Sequence, residues 1–532
     1  MHTETPAQIP ALSAITEELL QRFIDIPGLV HAFATRYPQR PALILDERTV
    51  DYAAIDAMMD RVAATLQRDG LRAGDAVAIC AGTSIEYAAV FLGALRAGCV
   101  VAPLAPNATA ANLESMIADA GAKRLFLDAA AAATLASVAA RITAKRVALD
   151  DSDAGTRFSA WLAPTGTKPA AVAIQPEWPF NIIYSSGTTG TPKGIVQSHR
   201  MRWRHVVRGV RTGYDVNAVT LISTPLYSNT TLVSFFPTLA LGGTVVLMAK
   251  FDVAGYLALA QKHRVTHTML VPVQYQRIMA FADFGRYDLS SFRMKFSTSA
   301  PFSAALKADI LKRWPGGLVE VYGLTEGGVA CVLEAHNFPN KLHTVGQPAT
   351  AHDIRLIDEQ GREVPRGEVG EVVGHSEAMM TGYHNQPGLT KDMEWYDATG
   401  TRFIRSGDVG RFDEDGFLVL MDRKKDMIIS GGFNIYPSDL ETVARTHPEV
   451  AEVAVVGVPS ERWGETPVAF IVRQPGAKAT AEELLAWVNG RVGKTQRLAA
   501  VELTSSLPRS AIGKVLKREL RDDFRKKKPA LP

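Results

Sequence analysis

The sequence predicts an α/β protein with a large N-terminal domain of α/β subdomains, a small β-rich subdomain and a small C-terminal α+β domain. Three observations support this fold class. Helix-like and strand-like patterns alternate over roughly the first 340 residues, short strands joined by Gly- and Asp-rich turns follow, and helices return in a final unit of about 110 residues. A chain of 532 residues is also long for one hydrophobic core, so more than one domain is expected.

The alternation begins with TVDYAAIDAMMDRVAATLQRDG (49–70), whose apolar residues recur at helical spacing and end at Gly70. Strand-like and helix-like segments then follow each other at DAVAIC (75–80), SIEYAAVFLGALRAG (84–98), CVVAPL (99–104), NLESMIADAGAKRLFLD (112–128) and YLALAQKHRVTHTMLVPV (256–273). This order is typical of mainly parallel, buried strands covered by helices.

The pattern of predicted secondary structure changes after about residue 340. Segments 354–375 and 410–426 contain short strand patterns separated by turn residues, and segments 438–459 and 481–492 restore helices beside strands. The charged stretch DRKKD lacks the apolar content of a core strand. We therefore expect an N-terminal domain over 1–421, a hinge over 422–426 and a C-terminal domain over 427–532.

Composition narrows the class of protein. The chain is 47% hydrophobic and 21% charged, and its 58 basic and 55 acidic residues give a net charge of +3, which offers no electrostatic argument for nucleic acid. Cys80, Cys99 and Cys331 lie far apart and predict free, mostly buried thiols in a reducing compartment. The first residues lack a secretory pattern and no uncharged apolar run approaches ~20 residues. These features predict a cytoplasmic protein, monomeric or homodimeric, without a membrane span.

The stretch YSSGTTGTPKG (184–194) follows the apolar run PFNII and combines glycines, hydroxyls and one lysine. Backbone N–H groups and hydroxyls in such a loop converge on phosphate oxygens. It matches neither the GxxxxGK[ST] loop nor the GxGxxG fingerprint. A flexible linker is the plain alternative, but a linker rarely follows a buried strand or holds a lysine between proline and glycine.

This stretch resembles the phosphate-binding motif of the AMP-forming acyl-CoA synthetase (adenylate-forming) superfamily. Four further motifs resemble the same family and occur in its order: VYGLTEGG (321–328), RSGDVGRFDEDGF (405–417), DRKKDMIISGGFNIYPSDLE (422–441) and LPRSAIGKVLKREL (507–520). Together they extend from residue 184 to residue 520. Five ordered motifs are a specific indication of membership.

The resemblance implies an ATP-dependent carboxylate–CoA ligase. A carboxylate attacks the α-phosphorus of ATP to give an acyl-adenylate and pyrophosphate, and the thiol of coenzyme A then displaces AMP. A carboxylic acid with a pKa near ~4–5 is already ionised at neutral pH, so catalysis rests on positioning and positive charge rather than on a base. The implied partners are a small carboxylic acid, ATP, Mg²⁺ and coenzyme A.

The resemblance also assigns roles to matched residues. The β- and γ-phosphates are assigned to Ser185, Ser186, Gly187, Thr188, Thr189, Gly190 and Lys193. Near the α-phosphate, Thr325 is a phosphate contact, Glu326 is the Mg²⁺ ligand and Lys514 bridges the carboxylate and phosphate. The nucleoside is assigned to Tyr322, Gly323, Asp408 and Arg423. The family's C-terminal domain is mobile, which places the hinge at Lys425 and the pantetheine path along Gly431 and Gly432.

The acid-binding segments depart from the family pattern. TPLYSNTT (224–231) has Tyr227, Ser228 and Asn229 where many members have an aromatic residue followed by His, and STSAPFS (297–303) keeps Ala300 and Pro301 but adds hydroxyls. Tyr227, Phe235, Phe236 and Val271 are candidate pocket walls, with an ordinary core position as the alternative for each. Residues 224–243 contain no Asp to pair with an α-ammonium group, which favours an uncharged acyl tail.

We expect an aromatic or arylalkenoic, hydroxycinnamate-like acid. Three enzymatic alternatives remain open: a medium- or long-chain fatty acyl-CoA ligase, a stand-alone adenylation enzyme that loads a carrier protein, and a luciferase-like oxygenase that uses the same adenylate. The chain ends about a dozen residues after GKVLKREL without a fused carrier, which weakens the second. A catalytically silent nucleotide-binding protein is the non-enzymatic alternative, disfavoured because Lys514, Glu326 and Asp408 are all present. Control by acetylation of Lys514 is a further hypothesis.

Overall fold

The computed structural model describes residues 21–185, 192–423, 426–430, 433–509 and 515–527. Up to residue 198 the elements are α1 (Ile26–Arg36), β1 (Pro41–Leu45), β2 (Arg48–Asp51), α2 (Tyr52–Arg68), β3 (Ala76–Cys80), α3 (Ile85–Arg96), β4 (Val100–Pro103), α4 (Ala110–Asp119), β5 (Arg124–Leu127), α5 (Ala129–Leu135), β6 (Lys145–Ala148), β7 (Thr156–Arg157), α6 (Phe158–Trp161), β8 (Pro179–Ser185) and β9 (Lys193–Ser198).

The middle of the chain contains α7 (His199–Arg211), β10 (Val219–Ile222), α8 (Asn229–Ala240), β11 (Thr244–Leu247), α9 (Val253–Lys262), β12 (His267–Leu270), α10 (Pro272–Met279), β13 (Met294–Ser297), α11 (Ala304–Arg313), β14 (Gly317–Gly323), β15 (Ala330–Glu334) and β16 (Gln347–Pro348).

The remaining elements are β17 (Asp353–Ile357), β18 (Gly370–His375), β19 (Gly382–Tyr383), α12 (Pro387–Asp392), β20 (Glu394–Tyr396), β21 (Arg402–Phe412), β22 (Leu418–Arg423), β23 (Ile428–Ser430), β24 (Phe433–Ile435), α13 (Pro437–Arg445), β25 (Val450–Ser460), β26 (Gly464–Arg473), α14 (Ala481–Asn489), β27 (Ala500–Leu503) and α15 (Lys517–Lys527).

Two large sheets carry the N-terminal part of the described chain. One has the strand order β16-β15-β14-β13-β12-β10-β11-β1-β2, with parallel pairing from β14 to β1 and antiparallel strands at both edges. The other has the order β19-β9-β8-β4-β3-β5-β6-β7, parallel from β8 to β7. The fully buried strands β3 and β4 explain why their sequences are continuous apolar runs rather than alternating ones.

Helices between the two sheets form the largest apolar core. Tyr52 at the start of α2 is fully buried and its hydroxyl donates to the carbonyl oxygens of Leu239 (2.9 Å) and Gly243 (2.7 Å). Phe236 of α8 packs edge-on against Phe91 of α3 (5.3 Å between centroids) and Phe180 of β8 (5.1 Å). The core thus joins α8, which bears the acid-binding segment at its N-terminus, to β8, which leads to the glycine-rich loop.

The β-rich subdomain is an antiparallel sheet of order β17-β18-β21-β20, with β22 paired to β21. The C-terminal part has a separate sheet of order β24-β23-β26-β25, with β27 parallel to β26, and packs α13 and α14 on one apolar cluster and α15 on another. The predicted fold class is therefore confirmed. Strand β22 includes Asp422 and Arg423, the first two residues of the predicted hinge, whereas Lys425 lies outside the described residues.

Two composition-based expectations also have structural outcomes. Cys80, Cys99 and Cys331 are free and buried, as predicted, and burial raises the pKa of each thiol to about 12. Over the described ranges, every helix is too short or too polar to cross a membrane.

Candidate active site

Strands β8 and β9 hold the two ends of the glycine-rich loop together. Ser185 pairs with Lys193 in the antiparallel register, so the last hydroxyl before the loop and the lysine after it are neighbours. Lys193 is half-buried, and its ammonium lies 5.7 Å from the centroid of the Tyr383 ring. Ser186, Gly187, Thr188, Thr189 and Gly190 lie outside the described residues.

Tyr383 joins this lysine to the predicted metal ligand. Strand β19 pairs with β9 in antiparallel register, which places the Tyr383 ring beside Lys193. The Tyr383 hydroxyl donates a 2.8 Å hydrogen bond to Oε1 of Glu326. Burial, followed by the nearby Glu326 charge, raises the pKa of Tyr383, so the phenol remains protonated and is a fixed donor to the carboxylate.

A glycine-dependent turn sets the direction of Glu326. Gly327 has φ +72°, and a Cβ added there would lie 1.9 Å from the carbonyl oxygen of Ala378. The N–H of Gly328 donates to that same oxygen (3.0 Å), and the N–H of Met380 donates to the carbonyl oxygen of Glu326 (2.7 Å). Only glycine has the space and the backbone freedom for this close approach. The two glycines after TE therefore fix Thr325 and Glu326 against the segment that carries Tyr383.

Tyr322 and Asp408, which are predicted to bind the nucleoside, also lie together. Tyr322 ends β14 beside Gly323, Asp408 lies in β21, and the Tyr322 hydroxyl donates to Oδ2 of Asp408 at 2.7 Å. Asp408 is only 6% exposed, and its N–H bonds the Ser406 hydroxyl (2.9 Å). Burial and then the Asp408 charge raise the pKa of Tyr322. Asp408 pairs with Arg423 across β21 and β22, so the backbone of Arg423 is adjacent.

The two acid-binding segments meet through a hydroxyl pair. Ser228 occupies the N-cap position of α8, and the Thr230 hydroxyl lies 2.6 Å from that of Ser299. Ser299 has φ +79°, a left-handed conformation that is costly for a non-glycine residue and is typical of functional sites. Ala300 follows half-buried and Pro301 exposed, while Tyr227 and Asn229 are half-buried.

A family model described as "AMP-binding enzyme" matches residues 30–384, and one described as "AMP-binding enzyme C-terminal domain" matches residues 439–514. The chain belongs to the AMP-binding enzyme family. Fatty acid–[acyl-carrier-protein] ligase ScoC of Streptomyces coeruleorubidus is 32% identical over 92% of this chain and 95% of its own length. Feruloyl-CoA synthase of an Amycolatopsis species is 34% identical over 89% of this chain and 94% of its own length. The ATP-bound structure of MatB from Rhodopseudomonas palustris superposes with a TM-score of 0.84 at 28% identity, covering 95% of this chain and all of that one.

These matches confirm the adenylate-forming superfamily predicted from the five motifs and the enzyme class, an AMP-forming acid–thiol ligase. ATP, a small carboxylic acid and coenzyme A are the substrates of that class. The structure brings Lys193 and Glu326 together at Tyr383, and it joins Tyr322 to Asp408 by a hydrogen bond. Lys514, Lys425, Gly431 and Gly432 lie outside the described residues, so their roles remain predictions.

Three polar residues of the site have no counterpart in the motif analysis. Gln197 donates to the carbonyl oxygen of Thr325 (2.6 Å) and approaches Oδ1 of Asn229 (3.5 Å), and it accepts from Asn181 (3.1 Å). Tyr383 is the third. Strand pairing and tertiary packing bring each of them to partners that are distant in the sequence. Hydrophobic periodicity and motif order therefore do not reveal these contacts. Buried polar residues in otherwise apolar strands were the available indication for Asn181 and Gln197, since both are fully buried.

Proposed function

We propose that this AMP-binding enzyme activates an aromatic or arylalkenoic acid with Mg²⁺–ATP and transfers the acyl group to coenzyme A. Two side-chain pairs carry the proposal: Lys193 and Glu326 both lie against Tyr383, and Tyr322 donates a hydrogen bond to Asp408. These groups supply one cation for phosphate, one carboxylate for a metal and one carboxylate for a nucleoside. Such a set is arranged to hold a metal nucleotide.

In the first half-reaction the acid carboxylate attacks the α-phosphorus and pyrophosphate leaves. Lys193 offsets the negative charge on the β- and γ-phosphates, and Thr325 contacts the α-phosphate. Asp408 accepts from the ribose hydroxyls, which is a strong, charge-assisted interaction. Lys514 approaches the attacking carboxylate and reduces the repulsion between the two anions.

Glu326 is the proposed Mg²⁺ ligand. Its Oε1 accepts from Tyr383, and an ionised carboxylate has further lone pairs to offer. In the part of the chain that the structure describes, no group of three or more His, Cys, Asp or Glu side chains lies together to hold a metal. This fits Mg²⁺, which usually combines one or two carboxylates with phosphate oxygens and water.

The second half-reaction requires access for a thiol from the side on which Lys514 is proposed to act in the first. We propose that the C-terminal domain (427–532) rotates relative to the N-terminal domain (1–421) about the 422–426 hinge, at Lys425. Gly431 and Gly432 then line the pantetheine path. The thiol sulfur attacks the acyl carbon, and the bond between that carbon and the AMP oxygen breaks.

The acid is proposed from the similarity to feruloyl-CoA synthase and from the hydroxyl-rich acid segments, in which Thr230 and Ser299 bond each other. Phe235 and Phe236 are each 1% exposed, and the aromatic packing of Phe236 is that of a core residue. Fatty acyl transfer to a carrier protein is the second candidate, because ScoC matches most of this chain. Cytoplasmic location and a monomeric or dimeric state remain predictions.

Pyrophosphate release, measured with ATP and Mg²⁺ over cinnamates, benzoates, C4 to C16 fatty acids and amino acids, tests this proposal. Each acid is assayed with and without coenzyme A. CoA-dependent turnover confined to the aromatic acids is the expected result. CoA-dependent turnover confined to fatty acids would contradict the proposed acid and favour a fatty acyl-CoA ligase. Pyrophosphate release without a CoA thioester would contradict the proposed acceptor and favour the carrier-protein candidate.

A further inference from the structure

Helix α7 has two sets of basic residues with opposite surroundings. Its outward residues Arg200 and Arg204 are paired with Glu177 and Glu377. Its inner basic face, which we define as Arg202, His205 and Arg208, has no carboxylate within ion-pair distance among the residues that the structure describes. Arg202 is buried, and His205 and Arg208 are half-buried. Proteins normally show the reverse arrangement, because a charge removed from water without a partner costs far more than an exposed one.

Arg202 is the most enclosed member of the inner basic face. Its side chain is 1% exposed, and its Nε donates to Oδ1 of Asn181 (3.0 Å). Both terminal nitrogens are buried, and no described residue accepts a hydrogen bond from them. The guanidinium lies over the rings of Phe180 (5.7 Å) and Phe236 (5.9 Å), and burial lowers its pKa to about 9. Two ring faces do not satisfy the four N–H donors of the terminal nitrogens.

His205 and Arg208 continue this face, each three residues from the one before, a spacing at which helical side chains are neighbours. The Nδ1 atom of His205 is buried without a partner. Burial lowers the pKa of His205 well below its ordinary value, and Arg208, Arg202 and His352 lower it further. Burial also lowers the pKa of Arg208, whose neighbour Tyr214 acts in the opposite direction. Among the described residues, the charged groups that act on His205 are thus all basic: Arg208, Arg202 and His352.

The inner basic face lies beside the acid-binding segment. Asn181, the partner of Arg202, donates to Gln197, which in turn contacts Asn229 of α8 and the carbonyl oxygen of Thr325. At the other end, Tyr214 next to Arg208 hydrogen-bonds Ser234 of α8 and stacks on His267 (4.5 Å). Arg202 is thus linked to the predicted acid-binding segment through Asn181 and Gln197, and Arg208 is linked to α8 through Tyr214.

We propose that the inner basic face binds a second carboxylate at the far end of the substrate, so that the acid is a dicarboxylate activated at one end only. This inference rests on the proposed function and names its substrate class. A guanidinium binds a carboxylate through two parallel hydrogen bonds, and the ligand supplies the charge that the surrounding residues lack. The absence of Asp from residues 224–243 opposes only an ammonium group, so the proposal replaces the uncharged tail expected from the sequence with an anionic one.

Matched acids test the proposal: cinnamate, 4-carboxycinnamate and the 4-methyl ester of the latter, in pyrophosphate release and in thermal-shift binding. We expect kcat/KM for 4-carboxycinnamate to exceed that for cinnamate and for the ester by about 30-fold or more, the lower limit for losing one partner of a buried charged pair. Arg208→Met and Arg202→Met should lower kcat/KM for the diacid at least about 10-fold more than for cinnamate, mainly through KM. Exposed Arg211 on the same helix provides the control. Arg211→Met should leave kcat/KM unchanged for both the diacid and cinnamate.

Equal kcat/KM values for the diacid and cinnamate in the parent enzyme would overturn the inference while leaving the ligase intact. The same holds if Arg208→Met and Arg202→Met reduce both acids equally, since a structural role acts on every substrate. Diacid-dependent stabilisation in the thermal shift that disappears in Arg208→Met supports the inference independently of turnover. Silence with every acid in both assays would contradict the proposed function, and the inference with it.

Discussion

Removing the Tyr383 hydroxyl should weaken the use of Mg²⁺–ATP without dismantling the site. Tyr383→Phe keeps the ring that faces Lys193 at 5.7 Å and deletes the 2.8 Å hydrogen bond to Glu326. A hydrogen bond to a charged group contributes about 1.5–3 kcal/mol, which corresponds to about a 10- to 150-fold reduction in kcat/KM. Since Glu326 is the proposed Mg²⁺ ligand, the Mg²⁺ concentration for half-maximal rate should rise.

The assay is pyrophosphate release titrated with Mg²⁺ at saturating acid, with Mg²⁺–ATP binding measured separately by calorimetry. Tyr396→Phe is the matched control, because Tyr396 also donates to a carboxylate, Glu394 at 3.0 Å, but is 53% exposed. It should behave as the parent. A Tyr383→Phe enzyme with unaltered Mg²⁺ dependence and unaltered Mg²⁺–ATP affinity would refute the positioning of Glu326 by Tyr383.

Three further predictions concern the turn, the nucleoside and pH. Gly327→Ala should abolish adenylation and lower the melting temperature, because its Cβ would overlap the Ala378 oxygen. An unchanged melting temperature by circular dichroism together with normal adenylation activity would contradict this. Asp408→Asn should raise the KM for ATP at least about 10-fold by weakening charge-assisted bonds, and a KM unchanged in steady-state assays would count against it. Burial lowers the pKa of His267 to about 4 from 6.5, so the folded state binds fewer protons than the unfolded state between those values. The free energy of unfolding should therefore fall as pH drops through this window, and His267→Gln should remove up to about 1.4 kcal/mol per pH unit of that slope in urea titrations.

The fold class was largely predictable because it is carried by local patterns, and the family was predictable from the five ordered motifs. Continuous apolar runs such as those of β3 and β4 indicate buried parallel strands, and the motif around Glu326 needs its two glycines for a reason that applies wherever the motif occurs. The pairing of Tyr322 with Asp408 was also consistent with their motif roles, although the hydrogen bond itself joins residues far apart in sequence.

The surroundings of the acid were not predictable in the same way. Tyr383 reaches Glu326 only because β19 pairs with β9. Ser299 adopts a positive φ that cannot be predicted from the residues around it. The basic residues of α7 look like an exposed charged face in the sequence. The burial of Arg202 among them depends on tertiary packing against Phe180 and Phe236.

The central claim is that the acid carboxylate attacks the α-phosphorus of ATP, and oxygen transfer tests it most directly. An acid labelled with ¹⁸O at both carboxylate oxygens is incubated with enzyme, ATP, Mg²⁺ and coenzyme A. The mass of the nucleotide product is then determined by mass spectrometry. We predict AMP with one ¹⁸O atom, because the acyl carbon–oxygen bond breaks after the adenylate forms. Unlabelled AMP, or ADP with phosphate, would contradict the account.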